Sequence, residues 1–216
     1  MLKTAPPFFP PVLIQTLLTT ILVWGLFTVL AIRFPTDPSN AKARWGIGLP
    51  TETVISPLVK ALGAWLILSL LGLMVLPVQT AAPTEAAVVA ASASQQSLWV
   101  YVAIGVLSPL GEEAFYRGVL WGSFMQGWQY LRLRVAQHLP AELSPALEAS
   151  LLIGLTTLAF VWGHGGWALL ATPTGLVIMG YGLILGWLRH RTQSVWPGIL
   201  LHCLHNSVVL VSQMTK

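Results

Sequence analysis

Gly111-Glu112-Glu113-Ala114-Phe115-Tyr116-Arg117-Gly118 places three charged side chains within six positions of an otherwise apolar stretch. From Leu98 to Phe124 the flanking residues read as one hydrophobic segment of membrane-spanning length. A charge near the bilayer centre costs about 3 kcal/mol on insertion scales. Such groups belong in a protein interior or a wet cavity, paired with one another and with polar groups from other segments. His164, His202, His205 and Asn206 are candidate partners, each in a later apolar segment.

Composition agrees with a membrane setting. The 216 residues are 55% hydrophobic and 8% charged, against roughly 25% charged in soluble domains. Ten tryptophans suit a protein with two water–lipid boundaries. A net charge of +4 in a soluble chain would suggest nucleic acid. Here the basic residues lie between apolar spans, so membrane topology accounts for them and no nucleic-acid partner is expected. The single cysteine, Cys203, excludes an internal disulfide and, inside a span, reads as a packing residue.

The hydrophobic segments predict an all-α, polytopic bundle of about six transmembrane helices, forming one integral membrane domain over residues 1–216. The expected spans are Val12 to Ile32, Leu58 to Val78, Leu98 to Phe124, Ala149 to Gly163, Gly175 to Leu188, and Val195 to Gln213. The site is expected in a cavity among the third, fourth and sixth. The Ala/Ser/Thr-rich stretch Ala81 to Ser97 reads as a flexible loop. Gly127 to Leu139 mixes aromatic and aliphatic residues with Arg132 and Arg134, which fits either an interfacial segment or an ordinary basic loop.

Charge sorts onto one side. Arg33, Lys42, Arg44, Lys60, Arg132, Arg134, Arg189 and Arg191 are assigned to the connections after spans one, three and five. Lys3 and Lys216 fall on the other side. Positive charge favours the cytoplasm, so both termini are expected to be non-cytoplasmic.

Helical spacing organises the chemistry. Glu113 and Arg117 are four apart and can meet on one face. Glu112 points about 100° away, with Ser108 and Tyr116 a turn from it. His202 and Asn206 are also four apart, while His205 points elsewhere, towards an adjoining helix. His164 ends the fourth span and is followed by Gly165-Gly166, which frees the backbone to turn.

Glu112-Glu113-x-x-x-Arg117, Phe160-x-x-x-His164 and His202-x-x-x-Asn206 occur in that order. Together they resemble the CPBP family, which contains the CAAX prenyl endopeptidases of the Rce1 type, bacterial Abi proteins, and bacteriocin-processing or immunity proteins. The resemblance covers residues 98–211. It implies an intramembrane endopeptidase in which Glu112 and His164 activate water and His202 and Asn206 stabilise the oxyanion. Glu113 and Arg117 would support the first carboxylate.

The residues themselves agree with that implication: a desolvated carboxylate is a stronger base, and imidazole and amide groups donate where negative charge develops. Zinc held by Glu112, His164 and His202 is the alternative. It is disfavoured because the chain has no His-Glu-x-x-His element and Asn206 is a poor ligand. The expected partners are a lipid bilayer and a peptide or membrane-protein substrate, in a prokaryotic cell membrane. The competing function is a non-catalytic immunity or scaffold protein that binds a peptide or membrane partner.

The charge asymmetry makes a topological prediction. In a Cys203→Ala background, single cysteines at Ser39 and Ser144 should label from the cytoplasmic face, and one at Ser94 from the opposite face. Labelling of Ser94 from the cytoplasm would refute six spans.

Overall fold

Prolines with hydroxyl caps set where the helices begin. In a computed structural model of the chain, residues 11–33, 46, 54–75, 101–135 and 144–214 are described. Helix α1 (Pro11–Arg33) starts on proline. Helix α2 covers Ile55–Val75, and α3 runs through residues 101–135. The Ser144 hydroxyl accepts from the Leu147 N–H ahead of α4 (Pro145–Gly163). Thr172 does the same for Gly175 ahead of α5 (Pro173–Thr192). Helix α6 (Trp196–Met214) has Pro197 in its first turn. Each such proline occupies a position whose N–H has no helical partner, while the hydroxyl satisfies a neighbouring donor.

All described regular structure is helical, and the helices form a membrane bundle. Ile55–Gly72 and Pro145–Gly163 are long and apolar enough to span a membrane on their own, and shorter apolar windows lie at Ile14–Leu26 and Trp196–Ser212. Their outer faces carry exposed Leu17, Leu18, Ile21, Leu22, Ile67, Leu70 and Leu200. In water such a surface would aggregate, whereas lipid tails solvate it. Helix α5 packs against α2, α4 and α6, and α3 packs against α1, α4 and α6. The core between these sets is Phe160, Tyr181, Leu185, Leu188, Leu201 and Ala61.

Helix α3 departs from regular geometry at its centre. Widened π turns at Tyr101–Leu107 and Ala114–Leu120 flank an α-helical piece, Ser108–Glu113. Pro109 supplies a cause for the first: it has no N–H and its ring crowds the carbonyl one turn before it. Beyond Trp121 the helix continues to Val135. The described part of the 127–139 segment is therefore a helical extension, in which Gln129, Leu131, Arg132, Leu133 and Arg134 favour helix and no proline stops it. At about 1.5 Å per residue, residues 101–135 reach roughly 50 Å, beyond a hydrocarbon core of about 30 Å. Arg132 and Arg134 fall in that overhang.

All the described basic residues assigned to connections, Arg33, Lys60, Arg132, Arg134, Arg189 and Arg191, lie within helices, and two of them fall well short of a helix end or are buried. Lys60 lies within α2, where it is exposed. Arg189 lies within α5 and is 1% exposed. Its Nε donates to the Arg117 carbonyl at 3.1 Å, and its guanidinium sits 5.4 Å from the Trp121 ring centroid. Helix α5 outruns its apolar window by a turn, and a carbonyl and an aromatic face await the cation. Arg189 thus contributes to packing and not to the positive loop charge. The Ala81–Ser97 stretch, Lys42, Arg44 and both termini lie outside the described residues.

Gly46 sits against that buried arginine at φ +70°, and a Cβ there would lie 2.6 Å from Arg189 Nε. Its carbonyl accepts from the Val195 N–H at 3.0 Å. Gly46→Ala should therefore lower stability by about 1–3 kcal/mol, read as a drop in unfolding temperature in detergent.

Candidate active site

Glu113 and Arg117 form the floor of the site, and both side chains are fully buried. Arg117 Nη1 donates to Glu113 Oε1 at 3.0 Å, and Nη2 donates to the Gly182 carbonyl at 3.2 Å. The guanidinium lies 4.4 Å from the Phe160 ring centroid. Two glycines make the room. At Gly182 a Cβ would come within 2.9 Å of Thr157 Cγ2, and at Gly198 within 3.1 Å of Glu113 Oε2. The carboxylate also receives His202 Nδ1 at 3.0 Å. An anion shared by two donors in a low dielectric is held far more firmly than an exposed pair.

Glu112 points away from this floor, as its helical offset requires. Ser108 Oγ donates to its Oε1 at 2.5 Å. Its Oε2 faces His164 Nε2 at 3.5 Å and His202 Nε2 at 3.8 Å. Glu112 and His164 are about one-third exposed or less, at 27% and 31%, whereas the His202 side chain is 4% exposed.

The His164 ring has a fixed tautomer. Its Nδ1 lies 2.8 Å from the Phe160 carbonyl, which can only accept, so Nδ1 carries the proton. The ring completes the end of α4: the His164 N–H has moved to the Val161 carbonyl, leaving Phe160 O for the imidazole. In the neutral ring, Nε2 is a lone pair facing a carboxylate oxygen. Two acceptors facing each other at 3.5 Å need a donor shared between them, and water has the two hydrogens to serve both.

Asn206 sits one turn beyond His202 on α6. Its Nδ2 donates to the Ile104 carbonyl at 2.9 Å. In the π register of Tyr101–Leu107, that carbonyl would accept from residue 109, which as proline has no N–H. The asparagine replaces the missing amide. Thr20 of α1 likewise donates to the Leu107 carbonyl at 3.0 Å. Asn206 keeps a second amide hydrogen and its own oxygen, while Glu112 is the group that both His164 and His202 approach, at 3.5 and 3.8 Å.

His205 faces α2 and α5. Its Nδ1 accepts from Trp65 Nε1 at 3.0 Å, and its ring lies 4.5 Å from the Tyr181 centroid. Tyr181 in turn contacts the His202 ring at 5.5 Å. Cys203 is half-buried against the Val106 carbonyl, a packing role. Beside Glu112 a cavity of about 500 Å³ opens between α1 and α3. Among the described residues no three His, Cys, Asp or Glu side chains form a group able to hold a metal ion.

Sequence spacing located Glu112, Glu113, Arg117, His164, His202 and Ser108. It missed Gly182, Gly198, Thr20, Trp65 and Tyr181, which touch the charged cluster or its supports only through tertiary packing. Pro109 in mid-span was the one available signal that nearby carbonyls would need outside donors.

Comparison with known proteins gives one match. The family model described as type II CAAX prenyl endopeptidase Rce1-like matches residues 94–208. No curated protein and no solved structure matches the chain.

The amide substitution by Asn206 can be checked with a double-mutant cycle. Asn206→Leu should cost about 1–3 kcal/mol by stranding the Ile104 carbonyl. In a Pro109→Ala background, where residue 109 regains an N–H, the same change should cost less. Equal costs, measured by unfolding in detergent, would sink that account.

Proposed function

We propose, from the premise that this chain belongs to the Rce1-like type II CAAX prenyl endopeptidase family, that it hydrolyses peptide bonds with a water held between Glu112 and His164. The observation that carries this reading is the 3.5 Å approach of Glu112 Oε2 to Nε2 of His164, whose Nδ1 is engaged by the Phe160 carbonyl. A water donating to both presents its oxygen lone pairs to a substrate carbonyl. Glu112 takes the proton as the carbon–oxygen bond forms, and returns it to the amine as the carbon–nitrogen bond breaks. Desolvation and a fixed geometry supply the rest of the advantage.

The tetrahedral oxyanion needs donors. His202 lies between two carboxylates, with Nδ1 on Glu113 and Nε2 towards Glu112. A proton on Nε2 would give the oxyanion a donor beside the Glu113-bound Nδ1. The remaining amide hydrogen of Asn206 is the second candidate donor.

Orientation narrows the substrate. The N-terminal halves of α1 and α3 and the C-terminal end of α4 border the cleft, while Arg132, Arg134 and Arg191 lie at opposite helix ends. The positive-charge rule then puts the cleft mouth on the non-cytoplasmic side. An exported peptide or the non-cytoplasmic end of a membrane protein suits that mouth better than a cytoplasmic lipidated tail. A prokaryotic cell membrane accords with this reading.

Glu112→Gln should fold and insert normally yet cleave at least about a hundredfold more slowly. His164→Ala should also lose turnover while retaining peptide binding. His202→Ala and Asn206→Ala should each lower kcat by about a hundredfold, near 3 kcal/mol of barrier. Near-normal turnover by Glu112→Gln refutes the assignment. Stoichiometric zinc in active protein, with activity lost on its removal and regained on its return, refutes the metal-free mechanism.

A further inference from the structure

Helix α1 carries a stripe of polar residues that its membrane setting does not require. Gln15, Thr16, Thr19 and Thr20 recur at the spacing of one helical face. Elsewhere α1 exposes Ile14, Leu17, Leu18, Ile21 and Leu22 to lipid. All four polar residues line the cavity of about 500 Å³ beside Glu112, opposite Ser108 and Tyr116. The family match begins at residue 94 and assigns nothing to this helix.

One of the four anchors the helix. Thr20 is 8% exposed, and its hydroxyl donates to the Leu107 carbonyl at 3.0 Å. It sits so close to α3 that a Cβ at Gly111 would lie 3.1 Å from its Oγ1. This fixes the polar face alongside the catalytic carboxylate. Gln15 and Thr19 are exposed on the cavity wall, and Thr16 is partly so. Thr19 donates to the Gln15 carbonyl at 2.9 Å, and its oxygen can still accept.

We propose that Gln15, Thr16 and Thr19 form a docking wall for the main chain of an extended polypeptide substrate next to Glu112. The inference rests on the peptidase reading and adds the part of the substrate that is recognised. A peptide bond inside a helix cannot offer its carbonyl to water, so the cleaved segment must unwind. In lipid its freed N–H and C=O groups need partners. A carboxamide offers both a donor and an acceptor, and a hydroxyl offers either. Such a wall satisfies backbone groups whatever the side chains, and Val23 and Phe115 give the same cavity an apolar side.

The test uses a quenched-fluorescence peptide with an apolar C-terminal tail, chosen because the full-length wild-type protein cleaves it in detergent. The triple variant Gln15→Leu, Thr16→Val, Thr19→Val should raise KM by about tenfold or more, the scale of one or two lost hydrogen bonds, with kcat within about twofold. N-methylation of the peptide amides next to the scissile bond should weaken binding to the wild type but add little in the variant. An unchanged KM, or an equal methylation penalty in both proteins, overturns the wall. Glu112→Gln runs in parallel: cleavage at the wild-type rate by that variant refutes the peptidase reading itself. If it is inactive while the triple variant behaves as wild type, only the wall falls. Should the triple variant not fold, a photo-crosslinking residue at exposed position 15 of the Glu112→Gln protein should capture the peptide. Absence of that adduct, with binding shown independently, overturns the proposal.

Discussion

A fully buried arginine inside a membrane protein has to be neutralised before anything else can be arranged, and here Glu113 one turn away does so. The consequences spread through four helices. The guanidinium also needs a carbonyl, which α5 provides at Gly182, and an aromatic face, which α4 provides at Phe160. The carboxylate needs space, which α6 provides at Gly198, and it takes His202 as a further donor. Once Glu113 is committed inward, its neighbour Glu112 must point towards α1 and the cleft. The paired glutamates therefore have opposite fates for a reason of helix geometry alone.

The second organising device is the use of backbone carbonyls to join helices. Pro109 loosens the turn before it, and the carbonyls of Ile104, Val106 and Leu107 are met by Asn206, Cys203 and Thr20. Arg117 and Arg189 bind the carbonyls of Gly182 and Arg117 in the same way. In lipid, apolar packing gives little net drive for association, so a carbonyl with no other partner makes a useful interhelical contact. The site is thus held by the same bonds that hold the bundle.

The spans and the charged cluster were legible because hydropathy and the four-residue period act locally. Glu113 with Arg117, and Glu112 with Ser108, are neighbours on one helix and needed no tertiary information. Helix ends were less legible. The chain past Phe124 looked like a surface segment because its composition turns mixed there, yet the helix runs on to Val135. Arg189 looked like loop charge because a buried cation is recognised only once its acceptors are known, and these come from residues 117 and 121. The bond from Asn206 to Ile104 was hidden for the same reason. The asparagine's motif partner lies on its own helix, whereas the carbonyl it serves lies on α3.

The ending of α4 at His164 bears on supply. Hydrolysis consumes water, and a hydrocarbon interior contains almost none. The backbone breaks at Gly165 and Gly166, the latter at φ +71°, and the last helical carbonyls are already satisfied by His164 and Gly166. The imidazole is left at a rim, 31% exposed, and not in a shaft. For the hydrolysis proposed above, the length of one helix would bear on how the second reactant arrives, because the chain leaves the imidazole at a rim by stopping.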